Sequence, residues 1–200
     1  QQTPKGGARA APPFGAFIEQ GEILNNDATM FLIICSAMVL FMTPGLAFFY
    51  GGLVRASSVV SMMMMSFGSI GLIGVLWLVY GYAVSFSNAS GSSFIGIDGV
   101  FGIELDKLFA NDQLNLALSG DGSGLAFAGF QGTFAIITVA LISGAIADRA
   151  KFGAWMIFAG LWATFVYFPV ANWVFNFTMK DGKVVDGGWL VYNIGLKDFA

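Results

Sequence analysis

Four long apolar runs, separated by polar connections of unequal length, organise the chain. A helix needs about 20 mainly apolar residues to cross roughly 30 Å of hydrocarbon, and the runs at about 28–50, 59–86, 125–147 and 152–175 all reach that length. No Asp, Glu, Lys or Arg falls inside any of them. Lipid offers no partner to a backbone N–H or C=O, so each run is predicted to be a helix that satisfies its own backbone. The fold class expected is all-α: a polytopic transmembrane helix bundle with four complete spans.

Local signals set the expected boundaries. Asn26 and Asp27 are candidate N-caps of the first span, Pro44-Gly45 is expected to kink it, and Gly51-Gly52 reads as a pair of loop glycines that ends it. Pro169 marks a second expected kink, in the fourth span. Gly68, Gly71, Gly74, Gly144, Ala145 and Gly160 are small residues inside the runs. Such residues let helix backbones approach closely where lipid supplies no hydrophobic drive, so a packed bundle is expected. The run Met62-Met63-Met64-Met65 suits irregular gaps between helices and reads as packing.

Basic residues near helix ends orient a membrane protein, with their excess on the cytoplasmic side. The short connections carry Arg55 in one case and Arg149 with Lys151 in the other, whereas the connection 87–124 has Lys107 alone among five acids. The short connections are therefore expected in the cytoplasm. The segment 1–26 is polar, contains Gly and Pro, and lacks the apolar centre of a signal peptide. It becomes an extracellular tail with the N-terminus outside, and a second long loop at about 176–197 lies outside with it. Gln1 in first place, and Asp198-Phe199-Ala200 as the start of an apolar segment, give both ends the look of cuts. The expected division is a polar tail at 1–26 and a transmembrane domain at 27–200.

Composition narrows the function. The chain is 56% hydrophobic and 10% charged, against about a quarter charged in soluble domains. A net charge of −3 leaves no basic stripe for a nucleic acid. Cys35 is the only cysteine and there is no histidine, which removes a disulfide framework, the commonest general base and the commonest metal ligand. No Walker loop, nucleophile elbow or zinc signature is present. An enzyme, a metal site and a cofactor are thus not expected.

The polar residues inside the spans are the informative ones. In the third span, Phe127, Phe130, Phe134 and Thr138 recur at three- and four-residue spacing and so share a stripe. Gln131 lies beside them. An amide facing lipid costs several kcal/mol, so Gln131 is expected to face protein or a cavity and to bring its neighbours inside the bundle. The stripe reads either as a pore lining or as ordinary aromatic packing. At the end of the fourth span, Asn172-Trp173-Val174-Phe175 reads either as an interfacial aromatic belt or as an aromatic cage for a cation. Asp198 reads as the N-cap of a following helix or as a negative charge near an outer vestibule.

The string Met42-Thr43-Pro44-Gly45-Leu46-Ala47-Phe48-Phe49-Tyr50-Gly51-Gly52-Leu53-Val54-Arg55 resembles the first-helix signature of the Amt ammonium transporters. Leu76-Trp77-Leu78-Val79-Tyr80-Gly81-Tyr82 is similar to the end of their second helix, and Phe130-Gln131-Gly132-Thr133-Phe134-Ala135-Ile136-Ile137-Thr138 to their third. Ala145-Ile146-Ala147-Asp148-Arg149 and Tyr167-Phe168-Pro169-Val170-Ala171 continue the same order. The resemblance runs from about Asp27 to Ala200, loops excepted. It implies a homotrimer in the cell membrane with one pore in each protomer, and an eleven-helix subunit built of two inverted five-helix repeats, of which this chain holds one incomplete repeat.

By the same resemblance, Phe130 and Phe134 sit at the outer mouth of the pore, and Phe134 is one of two stacked gate rings whose partner follows Ala200; Gln131, beside them, is taken as a pore residue with them. Phe175 takes the place of a cage tryptophan, Asn172 that of a histidine, and Asp198 that of an aspartate supporting the ammonium site. A stretch at about 177–185 looks inserted. Two pore histidines are expected after Ala200. Implied partners are ammonium or ammonia, with methylammonium as analogue, the lipid bilayer, and a PII-type regulator as a candidate on the cytoplasmic side. Transport would proceed by recruitment of the cation at the aromatic site and deprotonation before conduction of ammonia. An ammonium sensor on the same scaffold and an Rh-like gas channel are the alternatives.

Overall fold

The computed structural model describes residues 26–87, 95–97, 101–118, 122–180, 183–192 and 194–196. Four helical segments in it are long and apolar enough to cross a membrane: Thr29–Leu53, Ala56–Phe86, Ser123–Ile146 and Phe152–Phe175. They are built from α1 (Asn26–Leu53), α2 (Val59–Leu76) with α3 (Tyr82–Phe86), α5 (Ser123–Ile142), and α6 (Phe152–Trp162) with α7 (Phe168–Phe175). The small helix α4 (Asn111–Leu118) lies in the long connection and α8 (Trp189–Tyr192) follows the fourth span. These boundaries agree with the hydropathy pattern to within a few residues, because the cost of unpaired backbone in lipid leaves helix as the only option.

The spans are not equivalent. Half of the apolar window of the third span is buried, against 22% for the first and 28% for the second and fourth, so the third is the central element. Spans one and two both pack on it, and span two also packs on span four. Trp155 and Phe168 are fully buried, and the Trp155 indole N–H donates to the Met65 carbonyl at 3.0 Å. Of the methionine run, Met62 and Met65 are buried and Met64 is exposed. Four consecutive residues cannot share one face at 3.6 per turn, so packing accounts for only part of the run.

Two sequence expectations are corrected. Gly51 and Gly52 do not end the first helix, which continues to Leu53. Gly51 is buried, and a Cβ there would lie 3.1 Å from Met63 Cγ, so this glycine serves helix–helix approach. Asn26 and Asp27 lie within the helix as described rather than ahead of it. Pro44 lies inside this helix, which remains α-helical on both sides of it.

Pro169 does alter its helix. Residues Ala163–Tyr167 form a π-turn, in which the Phe168 N–H reaches the Ala163 carbonyl five residues back. Proline has no N–H and crowds the preceding turn, and widening that turn lets the helix continue without a break. A second π-turn, Trp77–Gly81, interrupts span two. The two are tied together: the Tyr80 and Thr164 hydroxyls are 2.6 Å apart, and Tyr80 meets Phe168 edge-on at 5.7 Å. A Cβ at Gly81 would sit 2.7 Å from the Phe168 ring.

The connections carry short antiparallel hairpins outside the helical body. Strands β1 (Ile95–Ile97) and β2 (Phe101–Ile103) pair with Ile95 opposite Ile103, and a 3-10 segment Leu105–Ala110 leads into α4. Strands β3 (Phe177–Lys180) and β4 (Lys183–Gly187) pair antiparallel with Phe177 opposite Gly187, so the described residues of the stretch that looks inserted in the sequence are strands.

Candidate functional site

Rotation of the third span decides what its polar and aromatic side chains meet. At about 100° per residue, Ala128, Gly132, Ala135 and Val139 fall on one face. That face receives span two: the Trp77 indole N–H donates to the Ala128 carbonyl at 3.0 Å, and a Cβ at Gly132 would lie 2.7 Å from Trp77 Cδ1. A second face meets span one, where the Tyr50 hydroxyl donates to the Leu141 carbonyl at 3.1 Å and Gly144 abuts the Tyr50 ring. Phe127, Phe130, Phe134 and Thr138 share a stripe that runs on toward Leu141, and all four are half-buried.

Along that stripe the rings are organised. Phe130 and Phe134 meet edge to face at 5.0 Å with an interplanar angle of 85°, an arrangement that suits the ring quadrupoles. Phe127 meets Phe86 of α3 at 5.5 Å. At the far end Thr138 lies beside Tyr167 of span four. Gln131 is 5% exposed, which agrees with the cost of placing its amide in lipid. Thr133, also buried, returns its hydroxyl to the Phe130 carbonyl at 2.6 Å.

The end of span four approaches the same end of the bundle, since span two finishes there and span three begins there. Asn172 is buried and does not stand in an open aromatic belt. Its Nδ2 lies 3.1, 3.2 and 2.9 Å from the carbonyls of Val84, Ser85 and Ser87. Asn176 Nδ2 donates to the Ser87 carbonyl at 3.0 Å, and Lys107 Nζ to the Phe86 carbonyl at 2.6 Å while pairing with Glu104 at 3.0 Å. A helix leaves its last four carbonyls without internal partners, and here side chains from elsewhere supply donors to all four. Phe175, half-buried, is the last residue of α7, less than one turn beyond Asn172. Asp198 lies outside the described residues.

The structure therefore brings Phe130, Gln131 and Phe134 together on one helix and sets Phe175 at the same end of a neighbouring one. The sequence reading missed Trp77, Lys107 and the donor role of Asn172. The signal for Asn172 was available, because an amide inside an apolar span has to find partners; which partners depends on chain segments about 85 residues away. Among the described residues no group of three or more His, Cys, Asp or Glu side chains is gathered.

Comparison with known proteins bears on this arrangement. The chain is 50% identical over 182 residues to the "Ammonium transporter" of Mycobacterium tuberculosis, covering 86% of this chain and 38% of the relative. It is 41% identical to the "Ammonium transporter" of Bacillus subtilis, with 86% and 38% covered. Among solved structures, Mep2 of Candida albicans aligns with a TM-score of 0.60 at 28% identity, over 85% of this chain and 34% of that one. Mep2 of Saccharomyces cerevisiae aligns at 0.59 and 31%, over 86% and 37%. The chain thus spans about two fifths of the length of the curated relatives it matches. It is a multi-pass membrane protein, and the family is not one of enzymes. Residues 30–200 match the family model of the Ammonium Transporter Family, and the chain belongs to that family.

Proposed function

We propose that this chain supplies the cation-collecting mouth and part of the conduit of a protein that moves ammonium or ammonia across a cell membrane. The observation that carries the reading is the Phe130–Phe134 edge-to-face pair beside buried Gln131, on a span that bears no charge and is the most buried of the four. On this reading Phe130, Gln131, Phe134, Phe175 and Asp198 serve the substrate, within a transmembrane domain at 27–200 that follows a polar tail at 1–26.

The physical logic is a balance of two costs. Burying an unpaired ion is opposed by a desolvation term far larger than any single contact recovers. A ring face offers a cation about 2 kcal/mol when the site is desolvated, enough to collect the ion and too little to carry it through. Burial disfavours the charged form of an amine by up to about 3–5 pKa units. Ammonium therefore has an escape by losing its proton, and potassium has none. The four spans contain no Asp, Glu, Lys, Arg or His, so a relay for that proton belongs to chain beyond these spans. The short connections with Arg55, Arg149 and Lys151 face the cytoplasm on this reading, and a homotrimer with a PII-type regulator docking inside completes it.

Methylammonium uptake by the complete protein tests the mouth. Phe134→Ala and Phe175→Ala are each expected to lower uptake at limiting substrate and to weaken discrimination against potassium. Wild-type uptake and selectivity in both variants removes these rings from the mechanism.

A further inference from the structure

The last turn of span two ends in carbonyls that point at side chains of two other segments. An amide NH2 has two hydrogens, so the three carbonyls of Val84, Ser85 and Ser87 at 2.9–3.2 Å share them. The Asn172 orientation follows without ambiguity, because turning its Oδ1 toward three acceptors would set oxygen against oxygen. Asn176 and Lys107 complete the cap from the other sides. The capped turn holds Phe86, whose ring meets Phe127 at 5.5 Å. Phe127 precedes Phe130 by one helical turn. On the opposite side, Asn172 precedes Phe175 by three residues on α7. One amide thus links the ring on span four, through the end of span two, to the ring stripe on span three.

We propose that Asn172 is a positioning residue for the collecting site: it fixes the height and rotation of the end of span four, and so holds Phe175 at a set distance from the Phe127–Phe130–Phe134 stripe. This rests on the reading of those rings as a mouth. Asn172 touches no substrate itself. Its effect falls on how well the mouth collects the ion, not on how fast the conduit passes it. The π-turn at Ala163–Tyr167 makes such a fixture necessary, since an extra residue in one turn shifts the phase of everything after it, and helix continuity alone no longer sets where Phe175 faces.

The test uses concentration-dependent methylammonium uptake by the complete protein, normalised to the amount in the membrane. Asn172→Ala is expected to raise KM about three- to tenfold with Vmax nearly unchanged. Placed in a Phe175→Ala background, it is expected to add less than about twofold, because coupled positions are non-additive. Asn172→Ser, which keeps one donor, is expected to fall between wild type and Asn172→Ala, and is read in the same way if Asn172→Ala does not accumulate. A wild-type KM in both Asn172 variants beside a raised KM in Phe175→Ala overturns the positioning role alone. So does a loss of Vmax at constant KM, or full additivity with Phe175→Ala. A wild-type KM in Phe175→Ala instead removes Phe175 from the mouth, and with it the reading on which the positioning role stands.

Discussion

Gly132 shows how much one missing methyl group decides. Its neighbour is not a flexible chain end but the Trp77 indole, 4% exposed and held by its bond to the Ala128 carbonyl. A Cβ introduced 2.7 Å from that ring must move either the indole or the helix. Replacing an interior helical glycine gains about 0.5–1 kcal/mol of propensity, whereas overpacking a fixed core costs about 1–3 kcal/mol. Gly132→Ala is therefore expected to lower the thermal unfolding temperature of the complete protein in detergent. An unfolding temperature at or above wild type would mean that the indole yields easily. Gly81→Ala, aimed at the fully buried Phe168 ring, is expected to behave in the same way.

At the scale of one helix, span two ends in a turn whose carbonyls are served by Lys107, Asn172 and Asn176. A cation at a helix C-terminus also opposes the macrodipole, worth about 0.3–1 kcal/mol. Removing the donor from a buried acceptor adds about 1–3 kcal/mol. Lys107→Met is expected to loosen this turn and with it the connection 101–118 described around it. Faster hydrogen exchange of the amides at 101–110 in the complete protein is the measurement. Unchanged exchange would show that Asn172 and Asn176 hold the turn without the lysine. The π-turns belong to this scale too. Pro169 announced an irregularity and the helix widens just before it, but nothing local in Trp77–Gly81 announces its own π-turn. That one is explained by its neighbour, since Gly81 packs on Phe168 and Tyr80 reaches Thr164.

For the molecule as a whole, the proposed orientation, with the short basic connections inside, is checked by labelling from one side. With Cys35→Ser as background, a cysteine at exposed Leu105 is expected to react with a membrane-impermeant maleimide in intact cells. A cysteine at exposed Ser57 is expected to react only after the cells are permeabilised. The reverse pattern would invert the topology and move the Phe130 and Phe175 end to the cytoplasm. The exposure of the first span, where Phe31, Met38, Phe41 and Phe48 all stand out from the four-span body, is the molecular-scale counterpart of its role in the sequence: an uninterrupted apolar helix with one narrow buried stripe.

The sequence alone determined the number of spans and their limits to within a few residues, because the cost of an unpaired backbone group in lipid acts on composition and length, which are local properties; the family was legible in the order of its motif strings along the chain. It also determined that Gln131 had to be buried, for the same reason applied to one side chain. Tertiary structure decided the rest. Gly51 could not be told from a loop glycine without Met63 beside it, and Asn172 could not be told from a belt residue without the end of span two. The facing of each stripe on span three was set by Trp77 and Tyr50, residues that lie about 50 and 90 positions away. A hydrogen bond or a tight methyl contact depends on where two distant segments come to rest, and periodicity within one segment carries no record of that.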